Sequence, residues 1–142
     1  MRELKTISRE IKKLISMIKE NNNIIALYIF GSFGTNQQHP LSDIDLAILF
    51  QEPPQFFDFL CLEADICKIL QRDDVNVINL NSSSIDIQFQ VISTGDLLYC
   101  SNELLLADFK ERVFNIYGDY GYTLKRFYND YEEGLKIKYG NR

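Results

Sequence analysis

Two aspartates one residue apart follow a glycine–serine turn in the stretch GSFGTNQQHPLSDIDL, which runs from Gly31 to Leu46. Asp43 and Asp45 open an apolar segment that has the character of a strand. Their side chains should therefore point to the same side of a sheet, ~6.5–7 Å apart along the backbone. Two like charges this close repel each other and raise one of the two pKa values unless a cation lies between them. The pair therefore predicts a site for a divalent cation.

The turn before the acidic pair can hold the anion that accompanies such a cation. Gly31 lets the backbone approach a ligand closely, and Ser32 adds a hydroxyl. If a helical turn begins at Ser32, its free N–H groups also face the anion. Mg²⁺ takes oxygen ligands and commonly binds through one or two carboxylates together with substrate phosphates. The two motifs together predict a nucleoside triphosphate at the turn, bridged by Mg²⁺ to the aspartates, although each motif alone also fits a plain turn or a solvated strand end.

The elements around this stretch predict a small α/β domain. Apolar residues recur at helical spacing near the start of the chain, at Leu4, Ile7, Ile11, Leu14, Ile15 and Ile18. The apolar run 24–30 predicts a strand buried on both faces. Further strands are predicted over 43–50, 75–80 and 97–100, with helices over 55–71 and from the serines 82–84 to about residue 92. From residue 102 the pattern is again helical, with a break predicted near Gly118 and Gly121.

Composition narrows the class of protein. The chain has 142 residues, which fits one domain with a sizeable core, and its net charge of -5 argues against a general nucleic-acid binder. The polar N-terminus does not resemble a signal peptide, and no apolar run approaches the ~20 residues of a membrane span. The three cysteines have no metal-type spacing, so we expect reduced thiols and a cytoplasmic protein.

The glycine–serine turn and the acidic strand together resemble the signature of the minimal nucleotidyltransferase (MNT) group of the polymerase-β-like nucleotidyltransferase superfamily. The matching positions are Gly31, Ser32, Gly34, Ser42, Asp43, Asp45 and Leu46. The resemblance covers the chain through about residue 100. It implies an α/β (α+β) fold in which helices flank a small mixed sheet. We accordingly expect an MNT domain over residues 1–117 and a helical C-terminal extension over 118–142.

The resemblance also implies an activity. In such enzymes the aspartate pair coordinates Mg²⁺, and the turn holds the triphosphate of ATP. Carried onto this chain, Asp43 and Asp45 would hold the metal, and the nucleotide would contact Gly31, Ser32, Gly34 and Ser42. Small members of the group act as antitoxins beside a HEPN-domain ribonuclease toxin, transferring AMP from ATP to a toxin tyrosine. The implied partner is therefore a HEPN toxin.

The third strand departs from the family pattern. Family members usually carry acids in a V-D-x-V-D-L sequence, whereas this chain has Asn76 and Asn79 at the two acidic places. By resemblance, the first acid completes the catalytic site and accepts the proton of the attacking hydroxyl. An amide cannot be that base, because it has no basic lone pair near neutral pH. Asp74, two residues earlier, is a candidate substitute.

Three functions remain open on this basis. The first is AMP transfer to a HEPN tyrosine. The second is an inactive or weakened nucleotidyltransferase-like antitoxin that neutralises its partner by binding. A nucleotidyltransferase of the antibiotic-modifying kind is disfavoured, because the chain has no room for a separate acceptor domain.

Two further features of the sequence each allow more than one interpretation. The lone histidine, His39, would lie in the loop near the phosphates, where it can contact nucleotide or acceptor or stand exposed without a role. The C-terminal extension over 118–142 combines many tyrosines with lysines and arginines. Such a mixture suits packing against its own core or a protein interface, and suits single-stranded nucleic acid less well given the negative charge.

Overall fold

The computed structural model describes residues 2–30 and 44–119, with side chains from residue 9 onward. Its elements in chain order are α1 (Arg2–Lys19), β1 (Ile24–Phe30), β2 (Ile44–Phe50), α2 (Phe56–Leu70), β3 (Val75–Asn79), a 3₁₀ turn (Leu80–Ser82), α3 (Ile85–Thr94) and β4 (Asp96–Cys100). Residues 103–119 are also helical and are called α4. None of the helices in these ranges is long and apolar enough to cross a membrane.

The strands form one mixed sheet with the order β3-β2-β1-β4. Strand β1 runs antiparallel to both β2 and β4, whereas β2 and β3 are parallel. Helices α1 and α2 cover one face of the sheet with Leu14, Ile18, Ile66 and Leu70. Helices α3 and α4 cover the other face with Val91, Leu106, Phe109 and Val113. The predicted fold, a small mixed sheet flanked by helices, is confirmed.

Local side-chain bonds explain several helix ends. Ser84 caps α3, since its hydroxyl accepts a hydrogen bond from the Ile87 N–H at 3.3 Å. Asn102 caps α4 in the same way, accepting from the Leu105 N–H at 3.0 Å. Helix α3 ends at Gly95, where a Cβ would lie 2.5 Å from the Val91 carbonyl oxygen. The chain can turn tightly into β4 only because residue 95 has no side chain.

Two predicted boundaries were wrong. Strand β3 ends at Asn79 rather than at Leu80, because the Asn79 side chain accepts from the Asn81 N–H at 3.0 Å and turns the chain into the 3₁₀ turn. Helix α4 continues through Gly118 to residue 119, so no break occurs at Gly118, and Gly121 lies outside the described residues. There the Tyr117 ring stacks on Phe89 of α3 with a centroid distance of 3.9 Å, which holds the helix against the domain. The boundary between a domain over 1–117 and an extension over 118–142 stays a prediction.

Two asparagine side chains hold the C-terminal end of β2 and the residues that follow it. The Asn81 amide donates to the Phe50 carbonyl at 2.8 Å and accepts from the Phe50 N–H at 2.8 Å. The Asn23 amide makes the same pair of bonds with Glu52, at 2.7 Å and 2.8 Å. Each side chain satisfies both main-chain groups of one residue, as a neighbouring strand would.

Candidate active site

The structure brings Asp45 and Asn76 together near the N-terminal ends of the two parallel strands. They are directly paired in the β2–β3 register. The Asn76 side-chain N–H donates to Asp45 Oδ1 at 3.0 Å. Asp45 is half-buried and Asn76 is exposed. A carboxylate and an amide thus meet at a solvent-accessible position on an otherwise apolar sheet.

Strand alternation explains why both side chains emerge on the same face. Ile44 and Leu46 of β2 point into the α1–α2 core, and so do Val75 and Val77 of β3. The residues between them must point to the opposite face. Asp45 therefore lies on the face that α3 and α4 cover further along the sheet.

The end of β1 borders this position. Phe30, the last residue of β1, is the register partner of Asp45. A Cβ on Gly95 would lie 3.4 Å from the Phe30 Cβ and 3.3 Å from the Ile29 carbonyl oxygen. Gly95 therefore lets α3 end close beside the site. Nothing in the local sequence pattern around Gly95 indicates this long-range approach.

Asp74 is unsuited to replace the third acid. Arg72 grips its carboxylate with two hydrogen bonds, from Nε to Oδ1 at 2.7 Å and from Nη2 to Oδ2 at 2.5 Å. The hydrogen bond from Arg72 is the main cause that lowers the pKa of Asp74. Both carboxylate oxygens are engaged by the guanidinium, and a carboxylate with a lowered pKa is a weaker base.

The remaining predicted site residues lie outside the described part of the chain. They are Gly31, Ser32, Gly34, His39, Ser42 and Asp43. Within residues 2–30 and 44–119, no three His, Cys, Asp or Glu side chains are grouped so that they could hold a metal ion. Asp45 and Asn76 nevertheless offer a carboxylate and an amide oxygen, and both are ligand types that Mg²⁺ accepts. The donor chemistry of this pair fits a magnesium site that further oxygen ligands would complete.

The three cysteine thiols are not part of the predicted magnesium site. Cys61, Cys67 and Cys100 form no disulfide among the described residues. Burial, helped by nearby carboxylates, raises the pKa of the Cys67 thiol, which stays protonated and is a poor ligand or nucleophile. Cys67 and Cys100 are half-buried, whereas Cys61 is exposed.

A cleft of about 420 Å³ lies at the opposite end of β2. Its lining includes Phe50 at the end of β2 and Gln51 just after it, with Asp108 and Arg112 from α4. Arg112 lies over the Phe109 ring, 5.6 Å from its centre, and neither Asp45 nor Asn76 lines the cleft. Its described lining contains one acid and one base, so the cleft has no excess positive charge to attract a triphosphate.

A protein-family match establishes the class of protein. Residues 12–104 match the family described as polymerase beta, nucleotidyltransferase. This range covers more than half of the 142 residues, so the chain belongs to the polymerase β nucleotidyltransferase family.

Several similar proteins are named protein adenylyltransferases. A putative protein adenylyltransferase of Methanocaldococcus jannaschii is 36% identical over 80 residues, covering 56% of this chain and 88% of that protein. The protein adenylyltransferase MntA of Shewanella oneidensis is 30% identical over 88 residues, covering 61% of this chain. The matched region spans 63% of the MntA length.

Solved structures share the fold over most of the chain. A mutant toxin–antitoxin complex of MntA and HepT contains a chain that superposes with a TM-score of 0.71 at 22% identity, covering 86% of this chain and 98% of that one. Another complex joins an MNT antitoxin to a tri-AMPylated HEPN toxin from Shewanella oneidensis. It matches with a TM-score of 0.66 at 22% identity, covering 93% of this chain and 99% of that one. At this identity the likeness shows a common fold.

Proposed function

We propose that this protein transfers AMP from MgATP to a protein hydroxyl, a tyrosine of a HEPN ribonuclease toxin, and thereby acts as its antitoxin. The observation that carries the proposal is the half-buried Asp45, hydrogen-bonded to the exposed Asn76 near the end of the sheet in a chain of the nucleotidyltransferase family. Relatives named protein adenylyltransferases support the AMP donor, and the fold shared with an antitoxin of an AMPylated HEPN toxin supports the acceptor.

The sequence motifs assign the ligand contacts. Asp45 and Asp43 would hold Mg²⁺, and the turn residues Gly31, Ser32, Gly34 and Ser42 would hold the triphosphate. Bound Mg²⁺ supplies positive charge that neutralises and orients the phosphates. Asn76 keeps Asp45 in a defined orientation through its N–H at 3.0 Å, so that one carboxylate oxygen is fixed while Asp45 stays accessible.

The transfer of AMP proceeds without a general base from β3. The phenolic oxygen of the acceptor attacks the α-phosphorus of ATP and forms a new O–P bond. The bond from the α-phosphorus to the bridging oxygen breaks, and pyrophosphate leaves. Asn76 cannot take the phenolic proton, and Arg72 keeps the pKa of Asp74 low, so the proton passes to water. A phenol with a pKa of ~10 tolerates this better than an alkyl alcohol does, and the rate should rise with pH.

A second candidate function has one specific observation in its favour. The neutral Asn76 amide stands beside Asp45 at the place where the family usually has an acid. A site without that carboxylate could bind nucleotide, and the protein could silence its partner by occupying its surface. The two functions differ in whether silencing survives the loss of Asp45.

The test is AMP incorporation from α-labelled ATP into the HEPN partner, purified from cells that also produce the Asp45→Asn variant. We expect label on a partner tyrosine with the wild-type protein and none with Asp45→Asn. Asp86→Asn, at an exposed position on α3, is the matched control and should label normally. If the wild-type protein silences the partner without labelling it, the binding function replaces the enzymatic one.

We also propose that the protein acts in the cytoplasm. The unpaired thiols of Cys61, Cys67 and Cys100 support a reducing compartment.

A further inference from the structure

Strand β3 presents an unpaired main-chain edge next to the candidate active site. It is the outermost strand on its side of the described sheet. The Ile44 N–H donates to the Asp74 carbonyl at 3.0 Å, and Ile44 pairs in register with Val75. In parallel pairing of this kind, the N–H and C=O of Val75 and Val77 point away from β2. Within residues 2–30 and 44–119, neither residue has a hydrogen bond across this outer edge.

The edge is rigid and lacks the usual protection against pairing. Val75 and Val77 are only 6% and 7% exposed, because their side chains are anchored in the α1–α2 core. Natural sheet edges are commonly blunted by charged residues, proline or bulges. The sequence VNVIN of β3 contains no charge and no proline, and its register with β2 is regular.

The opposite edge of the sheet, formed by β4, has features that discourage pairing. Strand β4 begins with the charged Asp96, and its pairing with β1 shifts register between Leu27 and Tyr28. Two devices that discourage pairing are therefore present on the edge that does not carry Asn76. The contrast indicates that the open edge of β3 is kept for a ligand.

We propose that the acceptor protein binds as an extended segment paired with the β3 edge, with the hydroxyl-bearing residue directly opposite Asn76. This inference rests on the function proposed above and names the form in which the acceptor is recognised. Pairing of an extended segment with a sheet edge gives affinity through main-chain hydrogen bonds, and side-chain pockets then give specificity. Val75 and Val77 supply the main-chain groups, and the catalytic face supplies the specificity.

Strand geometry fixes where the acceptor side chain goes. Directly paired residues project to the same face of a sheet, so the residue opposite Asn76 shares the face of Asn76 and Asp45. Neighbouring strands lie about 4.8 Å apart, which puts this residue about 10 Å from Asp45, two strand spacings away. A tyrosine reaches over Asn76 toward Asp45 much further than a serine does. The edge therefore selects tyrosine by length.

Replacing Val75 by proline tests the pairing. Proline removes the outward N–H, and it is tolerated at the first position of an edge strand because that N–H makes no ladder bond. The matched control is Val75→Ala, which trims the same buried side chain but keeps the N–H. With the unmodified HEPN partner as acceptor, we expect Val75→Pro to raise KM for the partner about 3–10-fold over Val75→Ala, the loss of one hydrogen bond. The affinity for ATP should be the same in both variants.

A measurement on the wild-type protein keeps the test independent of how well the variants fold. Hydrogen exchange at the Val75 and Val77 amides should slow when the unmodified partner binds. Equal partner KM for Val75→Pro and Val75→Ala, or unchanged exchange at both amides in the complex, would overturn edge pairing while leaving AMP transfer intact. Failure of the wild-type protein to label any acceptor would instead overturn the proposed function, and this inference with it.

Discussion

The two ends of β2 both rely on asparagine side chains, but they use them in different ways. At the C-terminal end, the Asn81 amide bonds both main-chain groups of Phe50 in a partly buried setting. At the N-terminal end, the Asn76 amide makes one exposed hydrogen bond to the Asp45 carboxylate. Main-chain groups that lose their partners are costly, whereas exposed side chains can turn to water. The first end therefore serves the fold, and the second is available for function.

The largest effect is expected for a substitution of Asp45, at the N-terminal end of β2. Asp45→Asn keeps the shape of the side chain but removes the charge that would hold the metal and the triphosphate. We expect AMP transfer to fall by about 10²–10³-fold, the usual loss for a preorganised charge in a transition state. The free energy of unfolding should change by less than about 0.5 kcal/mol, because within the described part of the chain Asp45 makes one exposed side-chain hydrogen bond. Transfer assays and urea melts measure the two quantities, and a strongly destabilised variant would assign Asp45 to the fold instead.

The next effect concerns Asn76. Asn76→Asp restores a proton acceptor beside Asp45, and general bases typically contribute ~10²–10⁴-fold in rate. We expect the rate of AMP transfer to rise by at least ~10-fold, without an equal gain in ATP affinity. The added negative charge should make the metal-free protein slightly less stable and its melting temperature more dependent on Mg²⁺. A wild-type protein that is already fast and is slowed by Asp74→Ala would show that Asp74 is the acid after all.

The opposite end should respond in stability alone. Asn81→Ala leaves the Phe50 N–H and C=O without partners in a partly buried place, and we expect a loss of about 1–3 kcal/mol. Asn23→Ala removes the same pair of bonds from Glu52, but at an exposed site where water replaces them. Its cost should be at most about 1 kcal/mol. The rate of AMP transfer per folded molecule should stay unchanged in both variants. A lower rate in Asn81→Ala would show that the two ends of β2 are coupled.

The smallest effect is expected inside the core. Tyr28 is 2% exposed, and its hydroxyl has no hydrogen-bond partner among the residues that the structure describes. Burial is the main cause that raises its pKa, so the hydroxyl stays neutral at ordinary pH. Tyr28→Phe removes this unsatisfied group and should leave stability unchanged or raise it by about 1 kcal/mol. A thermal melt that shows clear destabilisation would mean that the hydroxyl has a polar partner in solution.

Sequence periodicity predicted the elements that carry the site. The seven apolar residues 24–30 and the acidic start of the next strand have patterns that depend on near neighbours alone. Strand alternation also gives Asp45 and Asn76 each a defined face on its own strand. These features are local or follow from strand alternation, and so they could be read from the chain.

Long-range partners could not be read in this way. The bonds of Asn81 and Asn23 join residues 31 and 29 positions apart, and no periodic pattern encodes them. Gly118 has a low helix propensity, which predicted a break, but the stack of Tyr117 on Phe89 continues the helix through it. Asp74 looked available as a third acid until its pairing with Arg72 was seen. Tertiary contacts decided each of these cases.

The central claim is that Asp45 and Asn76 mark a site where MgATP binds. Titration calorimetry of ATP with the wild-type protein, with Mg²⁺ and in EDTA, tests it most directly. We expect binding with Mg²⁺ and none in EDTA, and we expect Asp45→Asn to abolish it while Asp86→Asn preserves it. Equal ATP affinity with Mg²⁺ and in EDTA, or undiminished binding by Asp45→Asn, would contradict the claim.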